Sequence, residues 1–471
     1  MSTTQTIIEK QFPIIEQLMQ KEGLSQLVIE SFRYNYEQVV QGATGYIEQS
    51  MISPIEDLIS DQELDAFEQV GLANIDKLAI IKLNGGLGTT MGLNASKALL
   101  PAKNGHSFLE IIINQILYLR KKINVAIPLI FMNSFRTEND TLAALAQYQD
   151  FYSGQNEIPA TFFQNKVPKI KADDFSAVKW QKNPELEWCP SGHGDIWTSL
   201  VQTGLLDTLL RKGYEYIFVS NGDNLSSTFC PKIFGWTFQN KLPWLSETTT
   251  KTLSDIKGGH LAKFKDDRLM LREIAQCPPE QMDDFLNVEK YKYFNINSLW
   301  VNLEALKETL SQNNNVLKLT LIRNEKNVDP TDKSSPKVYQ LETAMGAAIS
   351  CFAGARAINV SRARFTPVKD TGNLLNVWSD NYVLEESWKI SKKRKEETGD
   401  IVVKLDPRYY QNITDFTQRF PNGAPSLIDC KSLIIKGDFV FGKNVVLKGN
   451  IVLENNHEVQ KVIEDNTILN G

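Results

Sequence analysis

Two patterns in the sequence predict an α/β protein with a largely parallel sheet, followed by a short parallel β-helix. Between Leu78 and Asn224, apolar runs of strand length alternate with amphipathic stretches of helix length, the order that builds a parallel sheet covered by helices. From Leu433 the period changes to six, because Leu433, Phe439, Val445 and Ile451 each open a short apolar triplet followed by polar residues or glycine. Six-residue steps mark a parallel β-helix; at roughly three or four turns, a plain antiparallel meander is the alternative. The chain of 471 residues has room for two or three domains. We divide it into an N-terminal helical segment (1–75), the main α/β domain (76–385) and a C-terminal domain (386–471).

From Thr6 to Gln41 apolar residues recur at helical spacing (Ile7, Ile8, Phe12, Ile15, Leu18, Met19, then Leu27, Val28, Phe32 and Tyr36), with Pro13 at a first turn or a kink. Ser53-Pro54-Ile55-Glu56 reads as the start of another helix, and Asp61–Val70 as a helix ended by Gly71. Leu78–Leu83 is a buried strand, Phe108–Lys121 a helix, Pro128–Asn133 a strand, and Thr137–Gln149 a helix. Thr161–Gln164 is a short strand, Asp195–Arg211 a helix capped by Asp195, and Glu215–Ser220 a buried strand running into Asn221-Gly222-Asp223-Asn224. Asn324–Lys337 has loop composition, and the run Lys392-Lys393-Arg394-Lys395-Glu396-Glu397 reads as a solvated face or linker.

A net charge of −5 gives nucleic acid or an anionic membrane nothing to attract over the whole chain, so an anionic substrate needs cations placed locally. Five scattered cysteines without a CxxC pair suit reduced thiols in a cytoplasm. No apolar run reaches membrane-spanning length, and Met1–Thr6 lacks the basic start and apolar core of a secretory signal.

The chemistry concentrates after the first buried strand, in Lys82-Leu83-Asn84-Gly85-Gly86-Leu87-Gly88-Thr89-Thr90-Met91-Gly92, with Lys97 beyond it. Four glycines in eight residues let backbone N–H groups approach a polyanion without side chains in the way, although a tight surface turn has the same composition. No Gly-Lys-Ser/Thr closes the loop, which excludes a P-loop, and the spacing is not a dinucleotide fingerprint. Asp223, at the end of a buried strand, suits either a turn or a Mg²⁺ ion, which takes one or two carboxylates plus phosphate oxygens. Gln164 offers both a donor and an acceptor. In such sheets ligands gather beyond the carboxyl ends of strands, and the glycine loop, Gln164 and Asp223 all lie there. With only four histidines and no Ser/His/Asp arrangement, the sequence suits a reaction that needs no general base.

The glycine loop resembles the signature of the UDP-sugar pyrophosphorylases, in the Leu-Asn-Gly-Gly-Leu-Gly-Thr form of the eukaryotic-type UTP–glucose-1-phosphate uridylyltransferases. Further blocks follow in family order: Ala95-Ser96-Lys97-Ala98, Pro190-Ser191-Gly192-His193-Gly194-Asp195, Asn221-Gly222-Asp223-Asn224, Lys257-Gly258-Gly259, Phe294–Trp300, Gln340–Gly346 and Phe365-Thr366-Pro367-Val368-Lys369. The resemblance implies a Rossmann-like nucleotidyltransferase core with a mixed, mostly parallel sheet, a left-handed C-terminal parallel β-helix, and synthesis of UDP-glucose and pyrophosphate from UTP and glucose 1-phosphate. It assigns Leu83, Asn84, Gly85, Gly86, Lys97, Gln164, Gly192, Asp223 and Lys369 to the nucleotide. It assigns His193, Asn221, Gly222, Asp223, Gly259, Asn297 and Glu342 to the sugar phosphate. Lys97 and Lys369 are then the catalytic cations and Asp223 the Mg²⁺ ligand. It further implies a cytoplasmic monomer or weak homo-oligomer joined through the C-terminal domain, with neither nucleic acid nor membrane as partner. UDP-N-acetylhexosamine or broad UDP-sugar pyrophosphorylases are the nearest alternative, but their loops typically carry Thr-Arg-Leu-Gly where this chain has Thr89-Thr90-Met91-Gly92. A catalytically silent regulatory subunit of the same fold is the alternative outside enzymes.

Overall fold

The computed structural model describes residues 3–93, 95–153, 155, 157–252, 255–394 and 400–471. The strand Leu78–Asn84 lies at its centre, with its first five residues all buried. Aliphatic residues on both faces are what a strand covered on both sides requires. Leu78 and Ile80 join the apolar cluster under helix Phe108–Ile123, while Ala79 and Ile81 join the one around Trp197 and Leu200. The strand pairs in parallel with Tyr216–Asn221 on one side and Leu129–Asn133 on the other, with Thr161–Phe163 beyond. Register places Leu83 opposite Asn221 and Asn84 opposite Asn133, so these strands end on one rim. Past Tyr216–Asn221 the sheet turns antiparallel through Tyr293–Asn302, which also pairs with Trp244–Thr250 and meets the hairpin His260–Phe264/Leu269–Arg272. The ten-stranded sheet is therefore mixed.

Several segments differ from the sequence expectation, each because a tertiary partner outweighs the local pattern. Ile52–Pro54 is an edge strand against His260–Phe264 rather than a helix start; an edge tolerates Pro54, which has no N–H to donate. Asp61–Phe67 is a 3₁₀ segment, and Gly71 lies inside the following helix Glu68–Ala73 instead of ending it. There it crosses Gly235 of helix Pro231–Gln239 so closely that a Cβ on Gly71 would sit 1.9 Å from Pro231 O. Asp195–Arg211 splits into Ile196–Gln202 and Leu205–Arg211, because Gly204 adopts φ +68° between them. Both ends of the expected loop Asn324–Lys337 are strand: Leu321–Asn327 pairs with Lys337–Thr343. In the mixed charge run, Lys392 ends a strand and Arg394 is buried, donating to the carbonyls of Leu427, Ile428 and Cys430; neither is a solvated face. Lys395–Glu397 lie outside the described residues.

The N-terminal pattern holds as two helices, Thr3–Lys21 and Gln26–Val40, with Pro13 inside the first. Ile8, Phe12, Ile15, Met19, Val28, Phe32 and Tyr36 pack on Val167, Trp188, Leu321 and Leu341. At the C-terminus the strands pair in parallel, which excludes the antiparallel meander. Leu433 lies opposite Ile451, three six-residue steps on, and Leu433, Phe439, Val445 and Ile451 are all buried.

Candidate active site

A cleft of about 340 Å³ opens at the strand-end rim, lined by Leu83, Asn84, Gly85, Gly86, Leu87, Lys97, Ala98, Phe108, Met132, Gln164, Pro190, His193, Asn221, Gly222 and Asp223. Ten of the residues expected from sequence thus share one wall, and each is delivered by a different local device.

The glycine loop folds back on itself. Leu87 bridges Ser96, and the Lys97 N–H donates to Gly86 O at 3.3 Å, which returns Lys97 over the loop. Its Nζ lies 2.6 Å from Asp223 Oδ2. Gly85 lets the Gln164 side chain come close, since a Cβ there would lie 2.7 Å from Gln164 Oε1 and push that amide aside. The Asn84 amide donates to Asn133 Oδ1 and Thr141 Oγ1, which fixes the loop's base. Asn94 lies outside the described residues.

Asp223 is held on a turn braced from below. Lys82 is buried, and its Nζ donates to Ser220 Oγ (2.7 Å) and Ser227 O (2.6 Å), clamping both ends of the turn. Burial pulls this ammonium's pKa down to about 7. The Gly222 N–H donates to Leu83 O at 2.9 Å, drawing the two strand ends together.

His193 Nδ1 accepts the Met345 N–H at 3.0 Å. Its proton therefore sits on Nε2, which makes that nitrogen a donor. Burial lowers its pKa to about 4, so the ring is neutral near pH 7. Asp195 caps no helix amide. Its carboxylate takes Asn165 N (2.6 Å), Asn165 Nδ2 (2.9 Å) and Ser199 Oγ (2.9 Å), tying the Gln164 turn to the segment that carries His193.

The remaining expected residues lie outside the cleft lining. Gly192, at φ +83°, packs on Glu342 and Thr343, where a Cβ would come 2.5 Å from Thr343 O. Glu342 sits beside it on the hairpin strand, with burial raising its pKa. Asn297 adopts a left-handed φ of +55° at a bulge facing Trp244–Thr250, one residue from the Ser298–Ser220 pair. Gly259 abuts the Glu273 carboxylate, 2.5 Å from where its Cβ would be. Lys369 is exposed at the end of a segment whose Val368 N–H donates to Asp223 O at 3.3 Å.

Sequence reasoning passed over Glu273. Burial raises its pKa and the Lys369 charge opposes that shift, while its carboxylate lies against Gly259. Gly258-Gly259 was the only trace of it, and pairing of the two hairpin strands was needed to show what the glycines face. Phe108 and Met132 also line the wall, but as apolar residues they carry no signal of their own.

A glycine loop, an ammonium–carboxylate pair and a neutral imidazole donor at the carboxyl ends of parallel strands define an α/β protein built to hold phosphates. The family model described as UTP--glucose-1-phosphate uridylyltransferase matches residues 29–448. The chain belongs to that family. It is 42% identical over 410 residues to the UTP--glucose-1-phosphate uridylyltransferase of Hordeum vulgare, covering 87% of this chain and 83% of that one. Against the Saccharomyces cerevisiae protein of the same name it is 36% identical over 403 residues, 85% of this chain and 78% of the other. Among solved structures, a mutant of the Leishmania major UDP-glucose pyrophosphorylase in complex with UDP-glucose matches with a TM-score of 0.91 at 37% identity over 98% of each chain. The Trypanosoma brucei UDP-glucose phosphorylase matches with a TM-score of 0.88 at 39% identity, over 98% of this chain and 99% of that one.

Proposed function

We propose that this chain is a UTP–glucose-1-phosphate uridylyltransferase, joining UTP and glucose 1-phosphate into UDP-glucose with release of pyrophosphate. The observation that carries this is the 2.6 Å pair of Lys97 and Asp223, set between a glycine loop and a neutral His193. A phosphate oxygen of glucose 1-phosphate attacks the UTP α-phosphorus in line, its P–O bond forms as the bond to the β-phosphate breaks, and pyrophosphate departs. The attacking oxygen is already anionic, so the protein needs no general base; its task is to hold two polyanions together and stabilise the charge that builds between them. In this reading Lys97 holds the triphosphate, the His193 Nε2–H meets a phosphate or sugar oxygen, and Gln164 meets the uracil edge. Glu342 and Glu273 are both candidates for a glucose hydroxyl, and the position of Glu273 beside Gly259 and Lys369 favours it.

The residues fit a magnesium ion of the sparsely ligated kind. Asp223 is the single carboxylate lining the cleft, and among the described residues no group of three or more His, Cys, Asp or Glu forms a cage. Mg²⁺ is commonly held in this way, by one carboxylate, phosphate oxygens and water. Bound there, it would supply Lewis-acid neutralisation of the phosphates.

We read the C-terminal parallel ladders as turns of a left-handed β-helix occupying most of 386–471, after a catalytic domain at 76–385 and the helical segment 1–75. No helix among the described residues is long and apolar enough to cross a membrane. The five cysteines are free thiols, which favours a reducing, cytoplasmic setting. Exposed Val452, Val462 and Ile468 on the ladders favour a monomer or weak homo-oligomer joined there.

The test is pyrophosphate release with UTP, magnesium and a panel of sugar 1-phosphates. Turnover with glucose 1-phosphate well above N-acetylhexosamine 1-phosphates supports the proposal. Equal turnover would make this a broad UDP-sugar enzyme, and none with any sugar a silent subunit.

A further inference from the structure

Lys369 is exposed and lies at the end of an irregular segment, yet the family resemblance makes it a catalytic cation, a role that needs its ammonium near the phosphates. What aims it is a clasp made by one residue. Asn224, 1% exposed, uses both ends of its carboxamide on that segment: Oδ1 accepts the Thr366 N–H at 2.9 Å, and Nδ2 donates to Arg364 O at 3.2 Å. Asn224 also forms a β-bridge with Pro367, and Ser226 Oγ meets Thr366 Oγ1 at 2.8 Å. Upstream, the segment is pinned to the central sheet. The Arg364 guanidinium makes a bidentate pair, 2.8 Å on both arms, with Glu247, which is fully buried and also accepts Trp300 Nε1–H at 2.9 Å. Downstream, the Lys369 N–H donates to Asn373 Oδ1 at 3.0 Å.

We infer that Asn224 is a positioning residue, holding the Arg364–Lys369 segment against the Asp223 backbone so that Lys369 is delivered at the edge of the cleft that Lys97 lines. This rests on the proposed role of Lys369 at the phosphates. Asparagine alone combines a donor and an acceptor at this reach. Aspartate keeps the Thr366 bond but sets an oxygen against the Arg364 carbonyl, and alanine loses both. The bland alternative is a turn residue that merely keeps Asp223 in shape.

A double-mutant cycle separates the two, because residues acting through one another give non-additive losses. Asn224→Ala is expected to lower kcat by about 10- to 100-fold with KM for both substrates within about 3-fold, since misplacing a positioned group by about 1 Å costs on the order of 100-fold. Asn224→Asp falls between it and the unaltered enzyme. In a Lys369→Ala background, Asn224→Ala should lower kcat by no more than about 2-fold further. Should Asn224→Ala fail to fold, Ser226→Ala, which removes the hydroxyl pair to Thr366 and the same hydroxyl's 3.2 Å bond to Ile390 O, carries the same cycle with a smaller first loss. A full-sized loss retained in the Lys369→Ala background overturns the inference and moves the effect to Asp223, and an unchanged kcat in Asn224→Ala overturns it outright. Wild-type kcat in Lys369→Ala alone overturns the role of Lys369 itself, and the inference with it.

Discussion

Lys97 and Asp223 show why the pair is worth more than either residue. Each is partly exposed and would be ordinary on a surface, but at 2.6 Å beside a glycine loop they form a local dipole facing the cleft. Lys97→Met should lower kcat by about 100- to 1,000-fold, as loss of a positioned charge at a reacting phosphate does, while far-UV circular dichroism stays unchanged. His193 makes a different prediction. Its folded pKa of about 4 lies below the ordinary histidine value, because burial disfavours the imidazolium. The folded protein therefore binds this proton less readily than the unfolded chain does. Stability tied to His193 is complete above the ordinary value and is lost as pH falls from there toward about 4. The Cε1–H resonance of His193 should stay still from about pH 8 to about pH 5.5, where a free histidine titrates, and movement across that window would place a charged ring in the cleft.

At the scale of elements, two helices cross where each offers a glycine. A Cβ on Gly71 would lie 1.9 Å from Pro231 O, and one on Gly235 would lie 1.9 Å from Phe67 O, so backbone packs directly on backbone. Gly71→Ala should destabilise the fold by about 1–3 kcal/mol through overpacking, read as a lower urea midpoint, with kcat per folded molecule unchanged because neither helix lines the cleft. The split at Gly204 and the bulge at Asn297 follow the same logic. Each is a short stretch of left-handed backbone that re-aims an element, and at Asn297 it does so beside the strand that delivers Asp223.

Over the whole molecule, the C-terminal ladders and the catalytic sheet share one apolar cluster that runs from Ile80 through Leu375 and Tyr410 to Leu433 and Ile451. A polar latch reinforces it. The Asp380 carboxylate accepts Leu427 N (2.8 Å), Ile428 N (3.1 Å) and Ser426 Oγ (2.6 Å), while Arg394 donates to carbonyls of the same turn. Gly92, at the far end of the glycine loop, abuts Asn412 of the C-terminal region, so the two parts also meet beside that loop. Asp380→Ala removes three hydrogen bonds to a charged acceptor at a partly exposed turn and should cost about 1–3 kcal/mol. Hydrogen exchange should quicken across residues 426–470 before it does in the central sheet; equal quickening everywhere would mean the two parts unfold as one.

The sequence alone determined the elements whose period is strong and uninterrupted: the buried strands at Leu78 and Tyr216, the helix at Phe108, and the six-residue steps after Leu433. It also marked the glycine loop, Lys97 and Asp223, because phosphate chemistry calls for those residue types at strand ends. What it could not carry was anything fixed by a partner far along the chain. Gly71 stands inside a helix because Gly235 crosses it, Asn84 is spent beneath the loop on Asn133 and Thr141, Glu273 is revealed only by the glycine opposite it, and Arg394 is buried under a turn more than thirty residues on. Local patterns record the free energy of a segment with water and with its own neighbours. Which polar group is left facing the cleft depends on long-range pairing, and that is decided only when the sheet closes.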